Sequence, residues 1–180
     1  MSTNIKDIIL AALFTAFIAV GAMVTVPFGP IPFTLQTFAI TLVLFIGKPK
    51  TALLAMAIYV ILGAIGAPVF ASFKGGIGVL LGPSGGFLLG YLIGIFPMAF
   101  AISKIKSDNK VTSNVLVIVC GIALTLIAYA IGTIQFMVVA NASAIVALST
   151  CVIPFALIDL CKIIVAWSIS LLVKKHLVTD

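Results

Sequence analysis

The chain has 180 residues, 63% of them hydrophobic, with 10 basic and 4 acidic side chains and a formal net charge of +6. Arginine and glutamate are absent, so lysine and aspartate carry all of the charge, and the mean hydropathy is +1.41. A soluble domain of this make-up could not cover its own surface with polar groups, which points to an integral membrane protein. No basic patch is interleaved with aromatics, which excludes a nucleic-acid-binding surface.

Six apolar runs follow one another, at residues 8–26, 33–46, 51–69, 86–102, 113–136 and 144–173. Nineteen helical residues rise about 28 Å, enough for a hydrocarbon core of roughly 30 Å. The pattern predicts an all-α integral membrane protein, a compact bundle of six transmembrane helices forming a single domain over residues 1–180.

The first run follows Lys6 and imitates a secretory signal, with small residues at Ala19, Gly21 and Ala22. Cleavage there would leave five spans and break the lysine alternation described below, so the run is read as an uncleaved helix. Ala12 and Ala16, extended by Ala19, form a small-xxx-small pattern that lets another helix approach closely. On residues alone that neighbour is, by default, within the same chain.

Between runs one and two, Val26 to Phe38 reads VPFGPIPFTLQTF. Three prolines lock φ and exclude helix, predicting a rigid extended segment. Gln36 then stands at the outer start of a helix, either as an interfacial cap or as a ligand donor and acceptor. In the third run, Tyr59 lies too deep for an aromatic belt, so its hydroxyl needs a partner, either a backbone carbonyl or a ligand.

The next connection, Ala67 to Tyr91, holds Gly75, Gly76, Gly78, Gly82, Gly85 and Gly86. GPSGG lacks the GK[ST] ending of a phosphate-binding loop, so it is not a nucleotide site. The segment reads either as a tight outer lid whose backbone and Ser84 face a cavity, or as a glycine-rich loop ahead of a packed helix.

The sixth run is long and carries Pro154 near its start, which predicts a loop or kinked segment before the helix proper. Asp159 and Lys162 lie in its middle. Three residues turn a helix by about 300°, so the two side chains share a face about 4.5 Å apart along the axis. Charge at membrane depth costs about 2.5–3.5 kcal/mol on insertion scales and is normally paired, interior-facing and functional. The pair is either a self-satisfied tie holding the sixth span or a ligand-handling site. The second is the expectation. Trp167 and the three cysteines, Cys120, Cys151 and Cys161, read as packing residues, and neither a metal site nor a cofactor is expected.

Lysines mark the topology. Lys6 precedes the first run, Lys48 and Lys50 follow the second, Lys104, Lys106 and Lys110 the fourth, and Lys174 and Lys175 the sixth. The loops on the other side carry only Lys74. The positive-inside rule therefore predicts both termini in the cytoplasm.

Four segments, PFTLQTF (Pro32–Phe38), YVILGAIGAPVFA (Tyr59–Ala71), LLGPSGGFLLGY (Leu80–Tyr91) and PFALIDLCKIIVAW (Pro154–Trp167), occur in this order. Together they resemble the BioY family, the biotin-specific substrate-binding (S) components of energy-coupling-factor (ECF) vitamin transporters. Ser84 departs from the threonine more usual there but keeps the hydroxyl. The resemblance implies high-affinity biotin capture from outside a bacterial plasma membrane, not an enzyme. It implies a partner transmembrane subunit and two cytoplasmic ATPase subunits, with the face of helix one around Ala12 and Ala16 docking on the former. The implied substrate-binding residues are Gln36, Tyr59, Ser84, Gly85, Gly86, Asp159 and Lys162. Biotin's carboxylate plus Asp159 against Lys162 leaves one negative charge uncompensated, so the orientation of the ligand stays open. The competing reading is a stand-alone proton-coupled secondary transporter of biotin or a related small vitamin.

Overall fold

The computed structural model describes residues 4–27, 29–105 and 109–177, the last two without their side chains. Lys106 of the lysine alternation, Phe28 of the proline-rich segment and the side chain of His176 lie outside the described residues.

Among the described residues eight α-helices carry the fold: α1 (Ile5–Met23), α2 (Gln36–Ile46), α3 (Pro49–Ala64), α4 (Ile77–Leu81), α5 (Gly85–Lys104), α6 (Lys110–Ala140), α7 (Ala144–Cys151) and α8 (Ile153–Leu177). Four stretches of these residues are long and apolar enough to cross a membrane: α1, α5, α6 and the α7–α8 stretch Ala144–Lys175. The helices are built for lipid. On α1 the polar Thr15 and the small Ala11 and Ala22 are buried, while Ile9, Leu13 and Val20 face outward. Thr15 Oγ1 lies 2.8 Å from the Ala11 carbonyl and 3.0 Å from that of Ala55, so its one proton is shared between a carbonyl of α1 and one of α3.

The second apolar run departs from expectation. Its first residues, Phe33–Thr34, form β2, which pairs antiparallel with β1 (Thr25–Val26) in the register Thr25↔Thr34 and Val26↔Phe33. Only 11 residues remain helical in α2, about 16 Å of rise. Residues Ala39 to Phe45 of this helix are all buried, so α2 sits inside the bundle rather than against lipid. Non-helical backbone at this depth is tolerated where it is enclosed by protein or lines a cavity. The rigid segment expected before Gln36 is thus a hairpin, and Thr34 Oγ1 accepts from the Gln36 N–H at 3.2 Å.

The α5–α6 seam is where small residues matter most. Gly86, Gly90 and Gly94 recur every fourth residue on one face of α5. A Cβ at Gly90 would stand 2.5 Å from Ala128 Cα, and one at Gly86 would stand 2.8 Å from Gln135 Cβ. Backbone-to-backbone approach of this kind requires glycine. The small-residue pattern of α1 plays a different part. Ala11 and Ala19 face inward, whereas Ala12 and Ala16 are exposed on the outer face. Packing within the chain, the default expectation for the whole pattern, therefore holds only for its inward members.

The sixth run divides as its proline suggested. α7 ends at Cys151, the chain breaks at Val152 (φ −119°, ψ −56°), and Pro154 enters in the first turn of α8, where its missing N–H costs little. Asn109 Oδ1 caps α6 by accepting from Val111 N–H, and Asn141 closes the same helix in the left-handed conformation.

The two ends of the bundle differ. Lys48, after α2, pairs with Asp7 in the first turn of α1 at 3.4 Å, which sets both at one end. α2 runs from that end to Gln36 at the other, and there the hairpin, the segment after α3 and the start of α5 converge.

Candidate functional site

At the end opposite Lys48, a cavity of about 130 Å³ opens between the hairpin, the segment Phe70–Lys74, α5, α6 and α8. Five aromatic rings, those of Phe70, Phe87, Tyr91, Tyr129 and Phe155, stand in its walls. Phe155 is held by stacking on Phe33 of β2, with ring centroids 4.2 Å apart, and Phe87 meets Tyr129 edge to face. Gly132 makes room for Phe87: a Cβ on it would overlap that ring.

Asp159 and Lys162 both line the cavity. Their side chains are 5% and 12% exposed, and Lys162 Nζ lies 2.7 Å from Asp159 Oδ1. The tie is part of a larger network. Tyr129 Oη donates to Asp159 Oδ2 at 2.7 Å, and Lys162 Nζ donates to the Thr34 carbonyl at 2.8 Å. Each carboxylate oxygen thus has a donor, and two of the ammonium's three donors are engaged. The remaining ammonium proton and carboxylate lone pairs are available to a ligand. Because Thr34 belongs to β2, the same lysine fastens the hairpin to α8. The added hydrogen bonds offset part of the desolvation penalty that makes bare buried pairs costly.

Gln36 also lines the cavity, and its Nε2 donates to Tyr59 Oη at 3.0 Å. Tyr59 is fully buried and is not among the lining residues. Among the described residues the Tyr59 oxygen thus accepts from the Gln36 amide. The effect is to orient that amide with Oε1 left as an acceptor. Ser84 lines the cavity, and its hydroxyl is not spent on capping α5.

Gly85 and Gly86 are buried and are not among the lining residues. Gly85 lies against the Leu80 backbone carbonyl, and Gly86 belongs to the α5–α6 seam. They bring Ser84 to the cavity rather than facing it themselves. Of the three residues, Ser84 alone lines the cavity.

Three features were not singled out from the sequence. Tyr129 and Tyr91 stand on α6 and α5; Tyr91 Oη donates to Thr37 Oγ1 at 3.2 Å. Both are tyrosines deep in apolar runs, the same signal that marked Tyr59. The third is Gln135 on α6, whose Nε2 donates at 2.7 Å to both the Leu80 and Gly82 carbonyls. It latches the turn that presents Ser84. Gln135→Leu is expected to remove the amide donor from the Leu80 carbonyl and leave the Gly82 carbonyl with only the Gly85 N–H, at a cost of about 1–3 kcal/mol. Hydrogen exchange checks this: the amides of Gly82, Ser84 and Gly85 should exchange faster than in the parent, and unchanged exchange would refute the latch.

These features define a helical membrane protein with an enclosed, aromatic-walled polar site built for a small molecule. Comparison with known proteins sharpens that class. The family model described as the BioY family matches residues 1–179. The biotin transporter BioY of Thermotoga maritima is 41% identical over 172 residues, covering 94% of this chain and 96% of that one. Biotin transporter BioY2 of Lactococcus lactis subsp. cremoris is 34% identical, over 91% and 87% of the two chains. A crystal structure of the S-component for biotin from an ECF-type ABC transporter superposes with a TM-score of 0.84 at 27% identity, covering 97% of this chain and 95% of that one. The chain belongs to the BioY family.

Proposed function

We propose that this protein captures biotin from outside the cell, as the membrane-embedded substrate-binding subunit of an ATP-driven ECF transporter in a bacterial plasma membrane. The observation that carries this reading is the buried Asp159–Lys162 network, wired to Tyr129 and to the hairpin at the wall of an aromatic cavity. Biotin's ureido ring offers two N–H donors and one carbonyl acceptor. A carboxylate with lone pairs to spare beside an ammonium with one free proton is complementary to that set. Gln36 Oε1 adds an acceptor, Ser84 adds a hydroxyl, and the aromatic walls suit the thioether ring. In this reading Tyr59, Gly85 and Gly86 act by placing Gln36 and Ser84.

The proposed topology is a single domain with six crossings, in which α2 and α3 complete the bundle and α7–α8 counts as one span. Both termini lie on the cytoplasmic side. This is supported by Lys48 and Asp7 pairing at the end away from the cavity, and by the lysine asymmetry between loops. The energising partners are a transmembrane subunit, met through the exposed Ala12–Ala16 face, and two cytoplasmic ATPase subunits.

The test is equilibrium binding of labelled biotin to the purified chain in detergent with no partner present. Saturable one-to-one binding is expected, and a folded sample that binds no biotin overturns the reading. Uptake that persists without ATPase subunits and collapses with the proton gradient would replace it with a proton-coupled carrier.

A further inference from the structure

The cavity wall holds a second cation. Lys74 lines the cavity together with Asp159 and Lys162. Its ammonium makes no hydrogen bond or ion pair with the described residues, whereas Lys162 is engaged twice. The two lysines differ in exposure too: Lys74 is exposed, and Lys162 is largely buried. Asp159 neutralises Lys162, so the net charge left on the cavity wall is the single positive charge of Lys74.

Its backbone is held in place from several sides. Phe70 N–H donates to the Lys74 carbonyl at 2.9 Å, closing a five-residue turn. Ser72 and Phe73 inside that turn have φ of 58° and 57°, a left-handed conformation that non-glycine residues adopt only when their surroundings impose it. The surroundings here are explicit. The Phe70 ring fills the space left by Gly63 and meets Tyr59 edge to face, while Ser72 N–H donates to Thr25 Oγ1 of the hairpin at 3.3 Å. A strained turn anchored to α3 and to the hairpin carries a long, unpartnered cationic side chain to the cavity mouth.

We propose that Lys74 recognises the carboxylate of the ligand and thereby sets its orientation. The anionic end sits at the mouth, and the neutral hydrogen-bonding ring sits against the buried Asp159–Lys162 pair. This inference rests on biotin being the ligand. It also closes the charge balance, because one carboxylate against Lys74, with Asp159 against Lys162, leaves no net charge in the occupied site. The specificity that follows is for a monoanion whose carboxylate is separated by a flexible chain from a cyclic urea. A ligand carrying only the ring gains nothing from Lys74.

Biotin and biotin amide, in which the carboxylate is replaced by a neutral carboxamide, separate the two ends. Their affinities would be measured on the purified parent chain, Lys74→Met and Lys74→Arg. Since Lys74 is exposed and its side chain has no partner among the described residues, both substitutions should leave the fold intact. The parent should bind biotin about fivefold more tightly than the amide, the scale of one partly exposed charge pair. Lys74→Met should erase that preference by weakening biotin alone, Lys74→Arg should retain it, and raised salt should shrink it in the parent. A Lys74→Met variant that still prefers biotin to the same degree, or that weakens both ligands equally, overturns the assignment. Binding of neither ligand by the folded parent overturns the biotin reading itself, and with it this inference.

Discussion

Lys162→Met should lower biotin affinity by at least about tenfold and cost about 3–5 kcal/mol of stability, because it leaves Asp159 as an uncompensated buried anion. Asp159→Asn should behave alike, stranding the ammonium beside the Thr34 carbonyl. The informative variant is the double substitution. With neither buried charge left at 159 and 162, stability should return most of the way, while binding stays weak because the charged partners of the ring are gone. Thermal unfolding in detergent reads the first effect, and equilibrium biotin binding reads the second. A folded double variant with parental affinity would reduce the pair to a structural tie between α8 and the hairpin.

Ala16→Trp should have the opposite profile, with binding retained and uptake abolished. Ala16 lies on the outward face of α1 amid exposed Ile9, Leu13 and Val20, so a larger side chain points away from the core. Its effect on biotin affinity in the isolated chain should stay within about twofold. Helix docking in a bilayer depends on small residues that let backbones approach, and an indole removes that approach. Transport by the complete complex in proteoliposomes should therefore fall to background. Ala11→Trp is the contrasting control: Ala11 is fully buried, so this change should impair folding and binding together. Normal uptake by Ala16→Trp with all partners present would show that helix one docks elsewhere.

Lys74 and Gln135 illustrate why parts of the site were hard to read in one dimension. In sequence Lys74 is a lone charge in an outer loop, as any solvated lysine would be. Only the turn that folds back onto Phe70 brings it to the same cavity as Asp159, 85 residues later in the numbering. Gln135 sits in an unbroken apolar run with no local mark of function, and its partners, Leu80 and Gly82, lie on another element. Tyr129 was more accessible. It is a deep tyrosine in the fifth run, and the argument made for Tyr59 applied to it unchanged.

The glycines are a different case. In sequence Gly85 and Gly86 fit either a lid facing a ligand or the approach to a packed helix, since glycine permits close approach of backbone to almost anything. The structure makes the approaching group the chain's own backbone: the Leu80 carbonyl for one and α6 for the other. Sequence carries the permission for contact but not the identity of the neighbour.

What the sequence determined by itself was everything governed by solvent transfer and local covalent geometry. Apolar runs with lysines between them define a membrane protein. Prolines exclude helix between α1 and α2, Pro154 marks the broken start of the last span, and the cost of burying charge singles out Asp159 and Lys162. Tertiary structure decided what depends on non-local distance. It placed α2 at the centre, with Ala39 to Phe45 buried by the surrounding helices. It also joined Tyr129, Thr34, Asp159 and Lys162 into one network from three separate elements. Hydropathy is a property of each residue and its surroundings in bulk, whereas a binding site is a property of which residues the packed helices bring within about 3 Å of one another.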